Sequence, residues 1–367
     1  MTGSFKPGSF RRGLRNKNPF VLVAAAALTV VALLGFQSLF TSGIWTDVPL
    51  KYWVRNPGDA FMVVSWNASA LKHKPPKQPL VVLVAGSSGR EAIWSGSSLA
   101  AQVRADGGPK IVASNLSSPK QSVGQSLAIV DNIPAAPATT VLVGGNLSRL
   151  YDPASNSLQQ VVGRNLLLKS DTLRHLAASY FGQYKYSYTI LPGLLDSLTT
   201  WLKVFGGKLL MGDVKLVHYD PHPFDSKPDL TPARFRALRK WANGPGPRNA
   251  LKKNLGSTMA LLDALVKRGK ARGMSIVLVE LPHNPGVQGP GLAQAQAYYR
   301  APVRALAAKY GIRYIDFTDQ LRLTAKDFYD FSHLRPSGRD VWQARLSQVL
   351  VRLYRKGVIA GAKVGQK

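Results

Sequence analysis

The chain has 367 residues, 45% of them apolar, with 48 Lys and Arg against 19 Asp and Glu and no cysteine. That length allows one large α/β domain or two small ones with a sizeable core, and argues against disorder over most of the chain. The missing cysteines exclude disulfides, thiolate metal sites and a cysteine nucleophile. The net charge of +29 points to a partner rich in phosphate or carboxylate.

Residues 1–18 carry Lys6, Arg11, Arg12, Arg15 and Lys17 and no acid. An uncharged run follows, with its apolar heart from Phe20 to Phe40. About 20 apolar residues, at about 1.5 Å rise each, span a bilayer core of about 30 Å. The sequence therefore predicts a transmembrane helix over 19–41. The flanking charges put residues 1–18 in the cytoplasm and everything after Asp47 outside it. A cleaved signal peptide fits less well, because the apolar run exceeds the usual ~7–15 residues. Residues 42–78 read as a linker. It holds a short strand at Phe61-Met62-Val63-Val64 and a Pro/Lys turn at 72–77 suited to anionic headgroups.

From residue 79 the pattern alternates. Pro79–Ala85 is a continuous valine-rich run, as expected of a strand buried on both faces. Further strands are predicted at Lys110–Leu116, Thr140–Gly144, Ser275–Leu281 and Arg313–Phe317. Helices are predicted at Glu91–Val103, Gln121–Val130, Ser257–Arg272 and Leu292–Tyr310. Alternating strands and helices predict an α/β fold with a five-stranded parallel sheet and right-handed crossovers. Residues 150–255 break the rhythm and read as a helical insertion or lid within one domain over 79–357. It has helices at Val161–Phe181 and Leu191–Val204, a loop around His218–Pro228 and the breaker Gly244-Pro245-Gly246-Pro247. Leu191–Leu210 reads as a packed or interfacial helix rather than a second span. The last helix carries Val341, Trp342, Leu346, Val349, Leu350 and Leu353 on its core stripe, and Ser337 with Asp340 resembles its cap. Residues 358–367 form a tail.

Three stretches carry chemistry: Gly86-Ser87-Ser88 after the first strand, Gly144-Gly145-Asn146 after the third, and Asp330-Phe331-Ser332-His333 before the last helix. In a flavodoxin-like strand order 2-1-3-4-5 the sheet reverses its winding between strands 1 and 3, and ligands bind there, outside the carboxyl ends. Ser88 and Asn146 fall at those ends. A serine hydroxyl needs a base to become a nucleophile. His333 is the candidate base, with Asp330 fixing its tautomer. The Asn146 amide and the Ser88 N–H are candidate donors to an oxyanion. Ser87 is a rival nucleophile. Each stretch also has a plain structural explanation, as a turn, a strand end or a cap. The chemistry calls for no cofactor and no metal. His218-Tyr219-Asp220-Pro221-His222 could hold a metal but reads better as a structured loop. His283 follows the fourth strand and could contact substrate at the cleft rim. His73 and His175 read as surface or satisfied core residues.

These three blocks, in this order over roughly 79–355, resemble the SGNH (GDSL-like) hydrolase/acyltransferase family. The resemblance implies a three-layer sandwich and a Ser88–His333–Asp330 triad, the family pattern placing the serine third in its block. It implies possible substrate contacts at Ser87, Gly145 and Lys120. One block departs from the family, which usually offers an oxyanion glycine after the second strand. Here the stretch is Asn115–Gly124 without a glycine at the expected place, and an N–H of Ser118, Lys120 or Gln121 could substitute. A single anchor before such a domain resembles the DltD type and the polysaccharide O-acyltransferase subgroup. That implies a membrane-bound O-acyltransferase partner, and an envelope glycan or lipid-linked polymer, suited by charge to be anionic, as acceptor. An esterase that removes acyl groups is the alternative, and a non-catalytic polymer-binding assembly subunit the next. No nucleic-acid motif, basic–aromatic interleaving or zinc spacing is present, which argues against nucleic acid as partner.

Overall fold

The computed structural model describes residues 19–47, 60–135, 138–153, 168, 170–180, 220–318 and 320–359. Five strands form one sheet: β1 (Leu80–Val84), β2 (Val112–Asn115), β3 (Thr139–Gly145), β4 (Ser275–Glu280) and β5 (Arg313–Ile315). Their order is β2-β1-β3-β4-β5. Every neighbouring pair is parallel, as the alternation predicts. The winding therefore reverses beside β1, and the ends of β1 and β3 open a crevice.

The described helices are α1 (Pro19–Ser42), α2 (Ala60–His73), α3 (Ser87–Arg90), α4 (Gly96–Ala105), α5 (Val123–Asn132), α6 (Leu147–Tyr151), α7 (Asp171–Tyr180), α8 (Pro232–Asn243), α9 (Pro245–Ala271), α10 (Pro290–Tyr310) and α11 (Pro336–Arg355). They cover both faces of the sheet. Leu80, Val82, Val84, Val141, Val143, Ile276 and Leu278 join one core, with residues of α2, α5, α9 and α10. Val81, Leu83, Leu142, Val277 and Val279 join the other, with Leu99 and Val103 of α4 and Trp342, Leu346 and Leu350 of α11. Burial on both faces is why the strands read as continuous apolar runs rather than alternating ones.

Several expectations change. Phe61-Met62-Val63-Val64 is not a strand but the start of α2, whose Phe61, Val64, Ser65, Ala68 and Ser69 are buried at helical spacing. The segment read as a linker thus contributes to the main core. The helix expected at Glu91–Val103 is two pieces. α3 ends at Arg90 and α4 begins at Gly96, where Ser95 Oγ accepts from Ser98 N at 3.0 Å. Gly96 lies so close to β2 that a Cβ there would meet the Ala113 carbonyl oxygen at 2.0 Å. The Gly244–Pro247 breaker is the entry to α9, with Pro245 in its first turn. That helix runs unbroken from 245 to 271 and buries Leu251 and Leu255, so residue 255 lies inside an element rather than at its end. Ser337 and Asp340 do not cap α11, whose Arg335 cap makes no side-chain bond. Ser337 Oγ donates to Asp327, and Asp340 accepts from Trp94. Val341 is exposed.

Of the helix expected at Val161–Phe181, the described part is α7. The stretch Leu191–Leu210 lies outside the described residues, as do the basic residues 1–18 and most of the 358–367 tail. Ile359 is buried against the second core. Among the described residues no helix is long and apolar enough to cross a membrane. The 24 residues of α1 carry no charge, and its side chains are described without a gap only over 19–32.

Candidate active site

Ser88 sits four residues beyond the end of β1, in the single turn of α3. Gly89 allows the turn to pack on the strand end: a Cβ there would meet Ala85 Cβ at 2.2 Å. The first amides of a helix have no intrahelical acceptor. Gly89 and Arg90 N–H both bond the Gly86 carbonyl, and Glu91 N–H bonds Ser87. The Ser88 N–H has no such acceptor among the described residues. The side chain is buried, and its Oγ donates to Ser332 Oγ at 2.7 Å.

Asn146 follows β3 and caps α6. Its Oδ1 accepts from Arg149 N at 3.1 Å and Ser148 Oγ at 2.8 Å. These donors settle which amide atom is which, so the NH₂ faces the other way. Its Nδ2 donates to Ser88 Oγ at 2.9 Å. One end of the Asn146 amide thus caps α6 while the other donates to the Ser88 hydroxyl. Arg149, fully buried, reinforces the corner by donating to the Val84 and Gly144 carbonyls of the two strand ends and to Ser122 and Ser126. Burial pulls its guanidinium down to about 10.

Asp330 and His333 lie in the turn before α11. His333 Nδ1 lies 2.8 Å from both Asp330 oxygens. Asp330 Oδ1 also accepts from the N–H groups of Ser332 and His333, at 3.1 Å each. Burial pushes the Asp330 carboxyl up, but the His333 hydrogen bond and charge and these amides outweigh it, and the net shift is downward. An ionised Asp330 holds the Nδ1–H tautomer and leaves the Nε2 lone pair bare. That Nε2 is buried and has no hydrogen-bond partner. The Phe224 ring covers the imidazole, with centroids 4.2 Å apart. Ser88 does not bond His333 here; its hydroxyl is turned to the residue before it.

Lys120 is the only non-glycine residue with positive φ among the described residues, at 55°. That is the left-handed region glycine favours, at the place where the sequence lacks one. Of the three candidate amides, Ser118 N–H donates to the Ala85 carbonyl and Gln121 N–H to the Ser118 carbonyl. The Lys120 N–H is the one left without an acceptor among the described residues.

Ser87, Ser88, Lys120, Asn146, Asp330 and His333 line one cleft of about 550 Å³. Gly145 and His283 are not part of its lining. Gly145 is paired with Glu280 across β3 and β4. His283, expected at the rim, is buried at 9% exposure, and packs edge-on against Phe331 behind the cleft wall. Burial first, then the Arg300 charge, holds it down to about 3, so it is neutral. Among the described residues no group of three or more potential metal ligands occurs. His218 and Tyr219 lie outside the described residues; His222 bonds the Trp94 carbonyl at 2.9 Å and approaches Glu91 at 3.3 Å.

Ser332, Phe224 and Trp241 also belong to this region and were not singled out from the sequence. Ser332 was legible only as the middle of the Asp-Phe-Ser-His motif. Phe224 is held over His333 by Arg339, which is fully buried and pairs with Asp225 at 2.8 and 2.9 Å. Trp241 sits on α8, whose start was readable as Thr231-Pro232: Thr231 accepts from Arg234 N at 3.3 Å. No protein-family model matches this chain, and no curated protein matches it significantly.

Proposed function

We propose that this chain is an SGNH-type serine acyltransferase that carries an acyl group on Ser88 and passes it to a hydroxyl of an envelope polymer. The observation that carries the reading is the pairing of Asp330 with His333 Nδ1, in one cleft with a serine hydroxyl already held by an asparagine amide. Ser88 Oγ attacks the acyl carbonyl while His333 Nε2 takes its proton. The bond to the leaving oxygen breaks, and Nε2 returns the proton to it. In the second half an acceptor O–H attacks the acyl carbon, Nε2 takes that proton, and Ser88 departs with it. The Ser88 N–H, the Lys120 N–H and Asn146 Nδ2 serve the carbonyl oxygen as it becomes negative. Each such donor is worth about 3–4 kcal/mol of barrier. Asn146 leaves Ser88 Oγ for the oxyanion as attack proceeds. No cofactor takes part.

Transfer rather than hydrolysis is favoured by topology. α1 exposes Phe20, Val23, Leu28 and Val31, each more than half open. Completed by residues 33–41, this run forms the single anchor that holds the domain at the outer face of a cytoplasmic membrane. Tethering beside a membrane-bound O-acyltransferase raises the effective concentration of acyl donor. The test is covalent labelling of the full chain by a fluorophosphonate, followed by acyl transfer from an activated ester to sugar acceptors and to water. Labelling that survives Ser88→Ala sinks the serine mechanism. Ser88-dependent turnover with water alone, in the presence of acceptor and partner membranes, leaves an esterase.

A further inference from the structure

We infer that Trp241 and Arg234 on α8 form the acceptor subsite, which takes a pyranose of an anionic glycan; the inference rests on the acyl-transfer reading of the same cleft. The cleft lining combines two unlike sets of side chains. One is polar, with Lys120, Gln121, Ser148 and Asp152. Burial pushes the Asp152 carboxyl up and the Lys120 charge pulls it back. The other is apolar, with Leu238, Trp241 and Phe331. Trp241 is 42% exposed, an unusual loss of burial for a large aromatic group. Its ring meets Phe331 at 87° and 5.8 Å, so at least one indole face is free of that contact.

A pyranose offers a match to both sets. Its axial C–H groups present a weakly positive apolar face that packs on the negative face of an aromatic ring. Its hydroxyls ring the edge and need donors and acceptors. A fatty acyl chain would leave the polar set unpaired, which is costly once water is expelled.

Charge extends the subsite along the helix. Arg234, Leu238 and Trp241 are spaced i, i+4 and i+7, so they share one face of α8. At about 1.5 Å per residue, Arg234 stands about 10 Å from Trp241 along the axis, the reach of a short run of sugar. α8 holds Arg234, Arg236, Arg239 and Lys240 and no acid. The Arg234 guanidinium has no ion pair among the described residues, so its charge is free for a carboxylate or phosphate on the polymer. The sugar stacked on Trp241 presents its hydroxyl to the acyl-Ser88, and the next anionic group meets Arg234.

The test is calorimetric binding to the full chain carrying Ser88→Ala, with a uronate hexasaccharide and a neutral glucose hexasaccharide as probes. The uronate binds, and Trp241→Ala weakens it at least about tenfold, or about 1.4 kcal/mol. Arg234→Ala weakens the uronate but not the neutral sugar, and high salt erases that difference. Trp241→Phe, which keeps an aromatic face, recovers part of the affinity and keeps the comparison readable if the alanine variant is unstable. Binding of neither hexasaccharide, or equal binding by the Trp241→Ala chain, overturns the inference. Preference for a long-chain ester over both sugars assigns the shelf to lipid and overturns it too. Acyl-enzyme formation is read separately on the unsubstituted chain: its absence defeats the catalytic reading, and the Trp241 comparison still decides the sugar site.

Discussion

The hydroxyl of Ser88 is bonded to Ser332, and the imidazole Nε2 one residue further on has no partner. The resting hydrogen bond thus competes with the productive one. A single neutral hydrogen bond contributes about 0.5–1.5 kcal/mol net. Ser332→Ala therefore frees Ser88 for His333, and fluorophosphonate labelling accelerates by a few fold, about what such an energy allows. If labelling instead falls by about a hundredfold or more, Ser332 is part of the proton path rather than a competitor.

Lys120 supplies the second prediction. A lysine in the left-handed region costs on the order of 1 kcal/mol. Lys120→Gly removes that strain but adds freedom to the unfolded chain, and the two terms nearly offset. The variant should melt close to the parent and keep its labelling rate, because the N–H remains. Replacing only the Lys120 amide by an ester removes that N–H and should slow acyl-enzyme formation about a hundredfold or more. An unchanged rate takes Lys120 out of the oxyanion site.

The parts of the site visible in the sequence are those set by local chain geometry. Ser88 and Asn146 each follow a strand whose valine-rich run announces it, and Asp330 and His333 are three residues apart. The parallel pairing followed from alternation, while the order 2-1-3-4-5 was that of a flavodoxin-like arrangement. What was not visible depends on packing across long separations. Phe224 lies 109 positions before His333, and long-range contacts such as the Arg339–Asp225 pair and the His222 bond to Trp94 hold its loop there. In a chain with 48 basic residues, nothing marks Arg90, Arg149 and Arg339 as buried ones. The reading of Phe61–Val64 as a strand failed because four apolar residues fit either period, and the rest of α2 decided for a helix.

Phe224 makes a third prediction. Its ring lies over the His333 imidazole, stacked on Tyr329 at 4.9 Å on another side. Phe224→Ala opens a route for water and reagents to the bare Nε2. Carbethoxylation of His333 by diethylpyrocarbonate, followed by peptide mass spectrometry, should speed up several fold. Asp225→Asn weakens the anchor of the same loop and should move the rate in the same direction, by less. Equal rates in all three chains mean that Phe224 does not guard the base.

The last prediction concerns the buried pair behind the cleft. Glu280 accepts from Tyr299 and, at 2.8 Å, from Tyr314, with Arg300 at 3.3 Å. Burial pushes its carboxyl up to about 7, against the pull of Arg300 and the tyrosines. His283 Nδ1 stands 3.9 Å from it, too far for a hydrogen bond, and is held down to about 3. As pH rises from 4.5 towards 7 the unfolded chain ionises Glu280 before the folded one does, so this group makes stability fall. As pH falls from 6.5 towards 3 the unfolded chain protonates His283 and the folded one does not, so this group makes stability rise with pH. Between about 4.5 and 6.5 the two slopes oppose each other, each at most about 1.4 kcal/mol per pH unit. The parent should show little pH dependence from this pair. Glu280→Gln should steepen the rise of stability with pH relative to the parent, and His283→Leu should tilt it the other way. Urea unfolding midpoints at pH 4.5, 5.5 and 6.5 read the difference, since every other group contributes to all three chains. Parallel curves for parent and both variants would show that neither group carries the assigned protonation state into the folded protein.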